Sequence, residues 1–224
     1  MDIAVLIPAH NEADRVEATV RAALEIPGVT RAVVVDDASE DDTAVRAERA
    51  GAEVVRLARN LGKGAALDSG VVRVEKADFI LLLDADLGET AAQASLLLAP
   101  VREGVADMAV ATFPRPTGKA GFGLVKGLAR WGIAWLGEGY SATAPLSGQR
   151  ALTGEALAVA RPFAFGYGVE VALTVRILRA HLRVIEVPTA MTHAATGRDV
   201  GGFIHRGRQF LHVLFALVRL RFEG

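Results

Sequence analysis

The chain has 224 residues, 51 % apolar and 23 % charged, which is enough for a sizeable core in one large domain or two small ones. It contains no cysteine, so disulfides and thiolate metal sites are excluded. Formal net charge is -1, yet residues 1–100 hold 18 acidic and 10 basic side chains while 101–224 hold 8 and 15. An acidic half suited to metal thus precedes a basic half suited to phosphate. No dense Lys/Arg stripe with interleaved aromatics is present, which argues against nucleic acid as a partner. With no charged leader before a cleavable apolar segment and no run long enough to span a bilayer, the expectation is a cytoplasmic protein, soluble or peripheral at the inner membrane face.

Ile3 to Ile7 reads as a strand closed by Pro8, and Asn11 with Asp14 as the cap of a helix running to about Glu25. Arg31 to Val35 is the next strand; Ser39 and Asp42 mark another helix start. Ala52 to Leu57 is a third strand, and a helix follows the Arg59–Gly64 loop to about Lys76. Phe79 to Leu83 is the fourth strand, after which Thr90 caps a helix ending near Pro100. Strand and helix alternate at the spacing of βα units, so the fold class is α/β with a Rossmann-like, mostly parallel sheet and right-handed crossovers.

The second half is less regular. Asp107 to Thr112 is a further strand at or near a sheet edge, followed by a Pro- and Gly-rich loop with Arg115 and Lys119 that suits a lid or a surface connection. Lys126 to Leu136 is helical, and its Trp131 and Trp135, with Tyr140, suit core packing better than an acceptor channel. Gly154 to Ala160 and Val169 to Ala180 are helices, Arg183 to Val187 is a last strand, and Gly202 to Phe222 is an amphipathic helix. That helix suits an anionic membrane surface, docking on its own domain, or a homodimer interface.

In a parallel sheet the working residues lie beyond the C-terminal ends of strands. Here those ends are His10-Asn11-Glu12, Asp36-Asp37, Arg59-Asn60 with Lys63, and Asp84-Ala85-Asp86. A fold needs caps and turns, but not polar clusters at all four ends, so one composite site is expected. Asp84 and Asp86 lie where the chain leaves a buried strand and can converge on a hard divalent cation; a plain turn is the competing reading. Asp36 and Asp37 suit hydrogen bonds from a nucleobase or ribose, or a helix start. Gly62-Lys63-Gly64 can bring amides and a cation to phosphate, yet it is not the phosphate-loop ATPase motif, and Pro8-Ala9-His10-Asn11 is not a dinucleotide fingerprint. Ser147 and Gln149 suit sugar hydroxyls, Arg150 a phosphate, and Glu170 a helix N-terminus near a ligand. His193 suits a third metal ligand, and Arg198 with Arg206 or Arg208 suits diphosphate charge. His205 and His212 read as helix-surface or interface residues.

Taken together, Ile7-Pro8-Ala9-His10-Asn11-Glu12, Val33–Ser39, Asn60-Leu61-Gly62-Lys63-Gly64 and Asp84-Ala85-Asp86 resemble the GT-A nucleotide-sugar glycosyltransferases, in particular family 2. The resemblance covers roughly residues 1–110 and implies one GT-A domain. Residues 1–112 would bind nucleotide-sugar and metal, 113–200 form the acceptor side, and 201–224 form the amphipathic helix. It implies that Pro8, Ala9, His10, Glu12, Asp36, Asp37 and Ser39 surround the nucleoside of a UDP- or GDP-sugar and that Lys63 lies near the donor. Asp86, with Asp84 and Ala85 beside it, would hold Mg²⁺ or Mn²⁺ bridging the diphosphate. The second half is similar to glucosyl-3-phosphoglycerate synthases through Pro145–Gly148, Gly166–Glu170 and the late ligand His193, and to polyprenyl-phosphate sugar transferases through size and basic tail. Glu170 would be the base of an inverting reaction or a holder of sugar hydroxyls in a retaining one, with Arg150 sharing the leaving-group charge. A sugar-phosphate nucleotidyltransferase or a non-catalytic sugar-nucleotide-binding protein is the alternative.

Overall fold

The computed structural model describes residues 1–113, 123–192 and 200–223, the side chains of 200–206 and 208 excepted. Within them a seven-stranded sheet has the order β3-β2-β1-β4-β6-β5-β7. Its first four strands are β1 (Ile3–Ala9), β2 (Val29–Asp36), β3 (Glu53–Arg56) and β4 (Phe79–Leu82). All pair in parallel, as continuous apolar runs joined by helical crossovers should. Helices α1 (Val16–Leu24), α2 (Thr43–Arg49) and α3 (Lys63–Val71) make those crossovers. After β4 comes a 3₁₀ turn, Gly88–Ala94, and then α4 (Ser95–Arg102).

The sheet then changes direction. Strand β5 (Met108–Thr112) does not join β4; a short strand β6 (Arg150–Thr153) lies between them, antiparallel to both. Strand β7 (Val184–Pro188) pairs in parallel with β5 and takes the edge that the sequence assigns to β5. Helix α5 (Gly123–Leu136) precedes β6; α6 (Gly154–Ala160) and α7 (Val169–Arg179) lie between β6 and β7; α8 (Val200–Phe222) comes last. Both faces of the sheet are covered by separate apolar clusters, one containing Ile3, Val5, Ile7 and Leu81, the other Leu6, Val33, Ile80 and Leu152. A third cluster fills the space between α5, α7 and α8. Each fully buried Val, Leu or Ile side chain contributes roughly 1.5–3 kcal/mol.

Several local expectations are corrected. Asn11 does not cap α1, which begins at Val16; it adopts a left-handed conformation (φ 56), and its side-chain carbonyl accepts from the Glu40 amide at 2.9 Å. The segment after β4 starts as a 3₁₀ turn in which Thr90 donates to the Leu87 carbonyl, and Pro100 lies inside α4 rather than ending it. Helix α3 ends at Val71, one turn before Lys76. Trp131 and Trp135 are not core residues: they stack on each other on the surface, 56 % and 53 % exposed.

Candidate active site

The C-terminal ends of β1, β2 and β4 lie side by side because those strands are neighbours in the sheet, so their polar termini meet. The Asp84–Gly88 turn is fixed from α1. Buried Thr19 donates to the Ala85 carbonyl at 2.8 Å and accepts from the Gly88 amide at 2.8 Å, while Arg15 Nη1 reaches the Asp86 carbonyl at 3.2 Å. Nothing in the sequence marks Thr19 for this task, since a mid-helix threonine has no local signature.

Lys63 joins the two halves. Its ammonium lies 2.6 Å from Asp84 Oδ1 and 2.7 Å from Glu170 Oε1, across 107 residues of chain. Burial alone would lower the lysine pKa, but the two carboxylates outweigh it and hold it above its ordinary value. The ammonium therefore stays charged throughout the neutral range. The other Asp84 oxygen accepts from Gln149 Nε2 at 2.8 Å. Asp84 is thus committed within the protein on both oxygens.

Gly148 makes this packing possible. A Cβ there would lie 2.6 Å from Asp84 Oδ2 and 2.6 Å from Lys63 Nζ, so any larger residue would have to displace the ends of both side chains. Gln149 is fully buried with its Oε1 unpartnered among the described residues, as is the Ser147 hydroxyl. The pair expected to meet sugar hydroxyls thus lies beneath the surface, with Gln149 bracing Asp84. The crevice between Pro8, Lys63, Asp84, Gly148 and Glu170 holds only about 10 Å³, room for one water at most.

Arg150 is also corrected. It is 1 % exposed, and its guanidinium donates to the carbonyls of Ser147 and Glu170 and to the Thr174 hydroxyl. Burial pushes its pKa down to about 10, against the opposing pull of Glu170. It therefore stays protonated at neutral pH, and it fixes β6 to α7 rather than facing a phosphate.

On the nucleoside side the Asp36 and Asp37 carboxylates are buried and engaged. Asp36 Oδ1 accepts from the Ser39 amide at 3.1 Å, and Asp37 accepts from the Leu61 and Gly62 amides, each at 2.7 Å. They shape the two loops. The Gly62 amide is spent on Asp37 and its φ of 84 suits glycine, while Gly64 is needed because a Cβ would meet the Ala164 carbonyl at 2.0 Å. His10 Nδ1 lies 2.9 Å from the Asp37 carbonyl, with the ring exposed. Ser39 Oγ accepts from the Asn11 amide. Pro8 is partly and Ala9 fully covered beside them.

Glu12, half buried, has its pKa raised by desolvation and by the charges of Asp86 and Asp84. It also lines an open recess of about 440 Å³ with Arg15, Asp41 and Arg46. Asp86 is partly exposed on the same side, and Ala85 is buried between the two aspartates. Among the described residues no three acidic or histidine side chains cluster closely enough to hold a metal unaided. His193 and Arg198 lie outside the described residues, as does the Arg206 side chain. Asp86 and Glu12, oxygen donors near each other beside Asp84, still fit a hard dication whose shell is completed by a substrate diphosphate.

The glycines of Gly166-Tyr167-Gly168 approach α8, not a ligand. A Cβ at Gly166 would meet the His212 ring at 2.2 Å, and one at Gly168 the Ala216 Cβ at 2.5 Å. His212 thus lies at an internal helix interface, stacked near Tyr167.

A mostly parallel sheet with an Asp-Ala-Asp turn closing its fourth strand defines the GT-A class of nucleotide-sugar-dependent folds. The chain belongs to glycosyl transferase family 2, whose family model matches residues 4–141. Among relatives, glycosyltransferase AglJ of Haloferax volcanii is 29 % identical over 205 residues, covering 88 % of this chain and 65 % of that protein. The uncharacterized protein MJ1222 of Methanocaldococcus jannaschii is 32 % identical over 161 residues, covering 69 % and 66 %. The chain therefore spans just under two thirds of the length of these relatives. Among solved structures, glucosyl-3-phosphoglycerate synthase from Mycobacterium tuberculosis superposes with a TM-score of 0.78 at 27 % identity, covering 96 % of this chain and 79 % of that one. A further structure of the same synthase, in complex with Mn²⁺, UDP-glucose and phosphoglyceric acid, gives 0.76 at 28 % identity, with the same coverages.

Proposed function

We propose that this protein transfers a glycosyl group from a UDP-sugar to a small phosphorylated acceptor with the help of Mg²⁺ or Mn²⁺. The observation that carries the reading is the Lys63 bridge between Asp84 and Glu170, which ties the metal-side turn to the acceptor-side helix α7 at the C-terminal ends of the parallel strands. The likeness to a synthase solved with Mn²⁺, UDP-glucose and phosphoglyceric acid supports donor, metal and acceptor class alike.

In this reading Asp86 holds the dication, Glu12 adds negative potential, and His193 is the remaining ligand. When bound, the cation supplies Lewis-acid stabilisation of the departing diphosphate. Pro8, Ala9, His10 and the Asp36–Ser39 turn bound the nucleoside, with residues 1–112 as the donor half and 113–200 as the acceptor half. Arg198 and Arg206 are the candidate cations for diphosphate charge. Glu170 holds Lys63, and its buried, ion-paired carboxylate suits orientation better than proton abstraction.

A polyprenyl-phosphate acceptor is the second reading, favoured by the exposed apolar side chains of α5 and α8. Donor turnover followed by NMR, with Mn²⁺ or Mg²⁺ and a panel of UDP- and GDP-sugars, tests the proposal. Consumption of a UDP-sugar only with 3-phosphoglycerate or a related phosphate supports it. Consumption only with a short polyprenyl phosphate selects the second reading, and turnover that persists in EDTA overturns the metal assignment.

A further inference from the structure

Helices α5 and α8 carry a second set of apolar residues that the core does not use. On α5 these are Leu124, Trp131 and Trp135; on α8 they are Leu211, Phe215, Val218 and Phe222. Each is at least half exposed. Both sets recur at helical spacing, so each forms one stripe.

The two stripes share a side. The helices touch where Gly132 meets Leu217, since a Cβ at Gly132 would lie 2.2 Å from that side chain. They run in the same direction, because the Arg179 guanidinium holds the Leu136 and Leu220 carbonyls at the far ends of both. At about 100° per residue, the α5 stripe lies roughly 60–100° one way round from the contact and the α8 stripe roughly 100–160° the other way. In parallel helices, opposite rotations bring both stripes to one face. The same count puts buried Ile133, Val213 and Leu220 on the opposite side, towards the core, as their burial requires.

The two helices themselves carry charge of one sign. From Gly123 to Leu136 and from Val200 to Phe222 there is no Asp or Glu, while Lys126, Arg130, Arg206, Arg208, Arg219 and Arg221 are all cations. By the same rotation Arg221 falls on the apolar face, with Arg130 and Arg219 along its two outer flanks; Arg130 donates to the Ala142 carbonyl at 3.0 Å, and Arg219 pairs with Glu223 just beyond the helix. Pairing this face with its own copy would bring cation against cation. A bilayer bearing anionic headgroups satisfies both features, taking the apolar stripes into its surface layer and the arginines to its phosphates. Two stacked, half-exposed tryptophans suit the same boundary. No helix among the described residues is long and apolar enough to cross a membrane, so the contact lies in the plane of the surface.

We infer that the face built from α5 and α8 docks on an anionic lipid surface. The inference does not depend on which sugar or acceptor the site uses. The test is flotation of the full chain with vesicles of phosphatidylcholine alone or mixed with phosphatidylglycerol, read together with tryptophan quenching by brominated lipid. Binding to the mixed vesicles, with quenching and weakening in salt, is expected. Arg130→Gln with Arg221→Gln should weaken binding about fivefold per cation removed. Trp131→Ser with Phe215→Ser should abolish quenching without shifting the melting temperature. A folded chain that floats with neither vesicle overturns the inference. So does a dimer, detected by light scattering, that the Trp131→Ser and Phe215→Ser pair dissolves, since a second copy then covers the face.

Discussion

The donor half and the acceptor half place their charge differently. From β1 to β4 the carboxylates collect at strand ends, where desolvation first, and then the charges of Asp86 and Asp84, raise the Glu12 pKa. Beyond β5 the charge is carried inward: Arg150 is buried beneath β6, Glu170 is buried at the start of α7, and both serve partners in the protein. Lys63 is the point of contact between the two patterns. Asp36, Asp37 and Asp84 brace the donor half as Arg150 and Glu170 brace the acceptor half, so what sets the donor half apart is the further negative charge of Glu12, lining an open recess, with Asp86 beside it.

The comparison breaks most sharply at Asp86. Asp86→Ala should cut metal-dependent turnover by about 10³-fold, the scale of losing one preorganised charge contact, with the circular dichroism spectrum unchanged. Near-normal turnover would move the metal elsewhere. Lys63→Met strands two partly or fully buried carboxylates and should cost about 3 kcal/mol of stability in urea denaturation. Adding Glu170→Gln should restore part of that loss, whereas additive losses would deny the bridge. Arg150→Met should also destabilise by about 3 kcal/mol through the loss of a buried charged donor, yet leave donor KM unchanged. A raised KM would return Arg150 to the phosphate.

Gly148→Ala should cost about 1–3 kcal/mol by overpacking and lower turnover with it, because the added methyl separates Asp84 from Lys63. The smallest effect is at the bottom of β5 and β7, far from the strand ends. Hydrogen bonds from Arg183 hold the Asp107 carboxyl below its ordinary value. A depressed folded-state pKa stabilises above the unfolded value near 3.8, and the contribution is lost as pH falls through the lower folded value. Asp107→Asn should be slightly less stable than the parent at neutral pH, and the difference should close as pH falls through that lower value in an acid titration.

Much of the first half was legible because each signal there is local. Apolar runs of four or five residues closed by Pro8, Asp36 or Asp84 announce buried parallel strands, and neighbouring parallel strands bring their ends together. Strand β6 escaped because it is four residues long and begins with arginine, and an antiparallel insertion has no periodic signature distinct from a loop. The turn from Tyr140 to Gln149 was equally opaque. Glu186 on β7 accepts the Thr143 and Ala144 amides, each at 2.8 Å, and no spacing in the chain foretells that clamp.

The sequence by itself determined the α/β class, the βα order of the first half, the Asp84-Ala85-Asp86 turn at the end of β4 and the family to which the chain belongs. Only the tertiary structure decided that Asp36 and Asp37 brace loops, that Arg150 is internal, that Lys63 spans two carboxylates and that Trp131 and Trp135 face outward. The reason is range. Strand and turn signals are written in neighbouring residues, whereas a side chain's partner is set by packing between segments far apart in the chain, as with Lys63 and Glu170 across 107 residues.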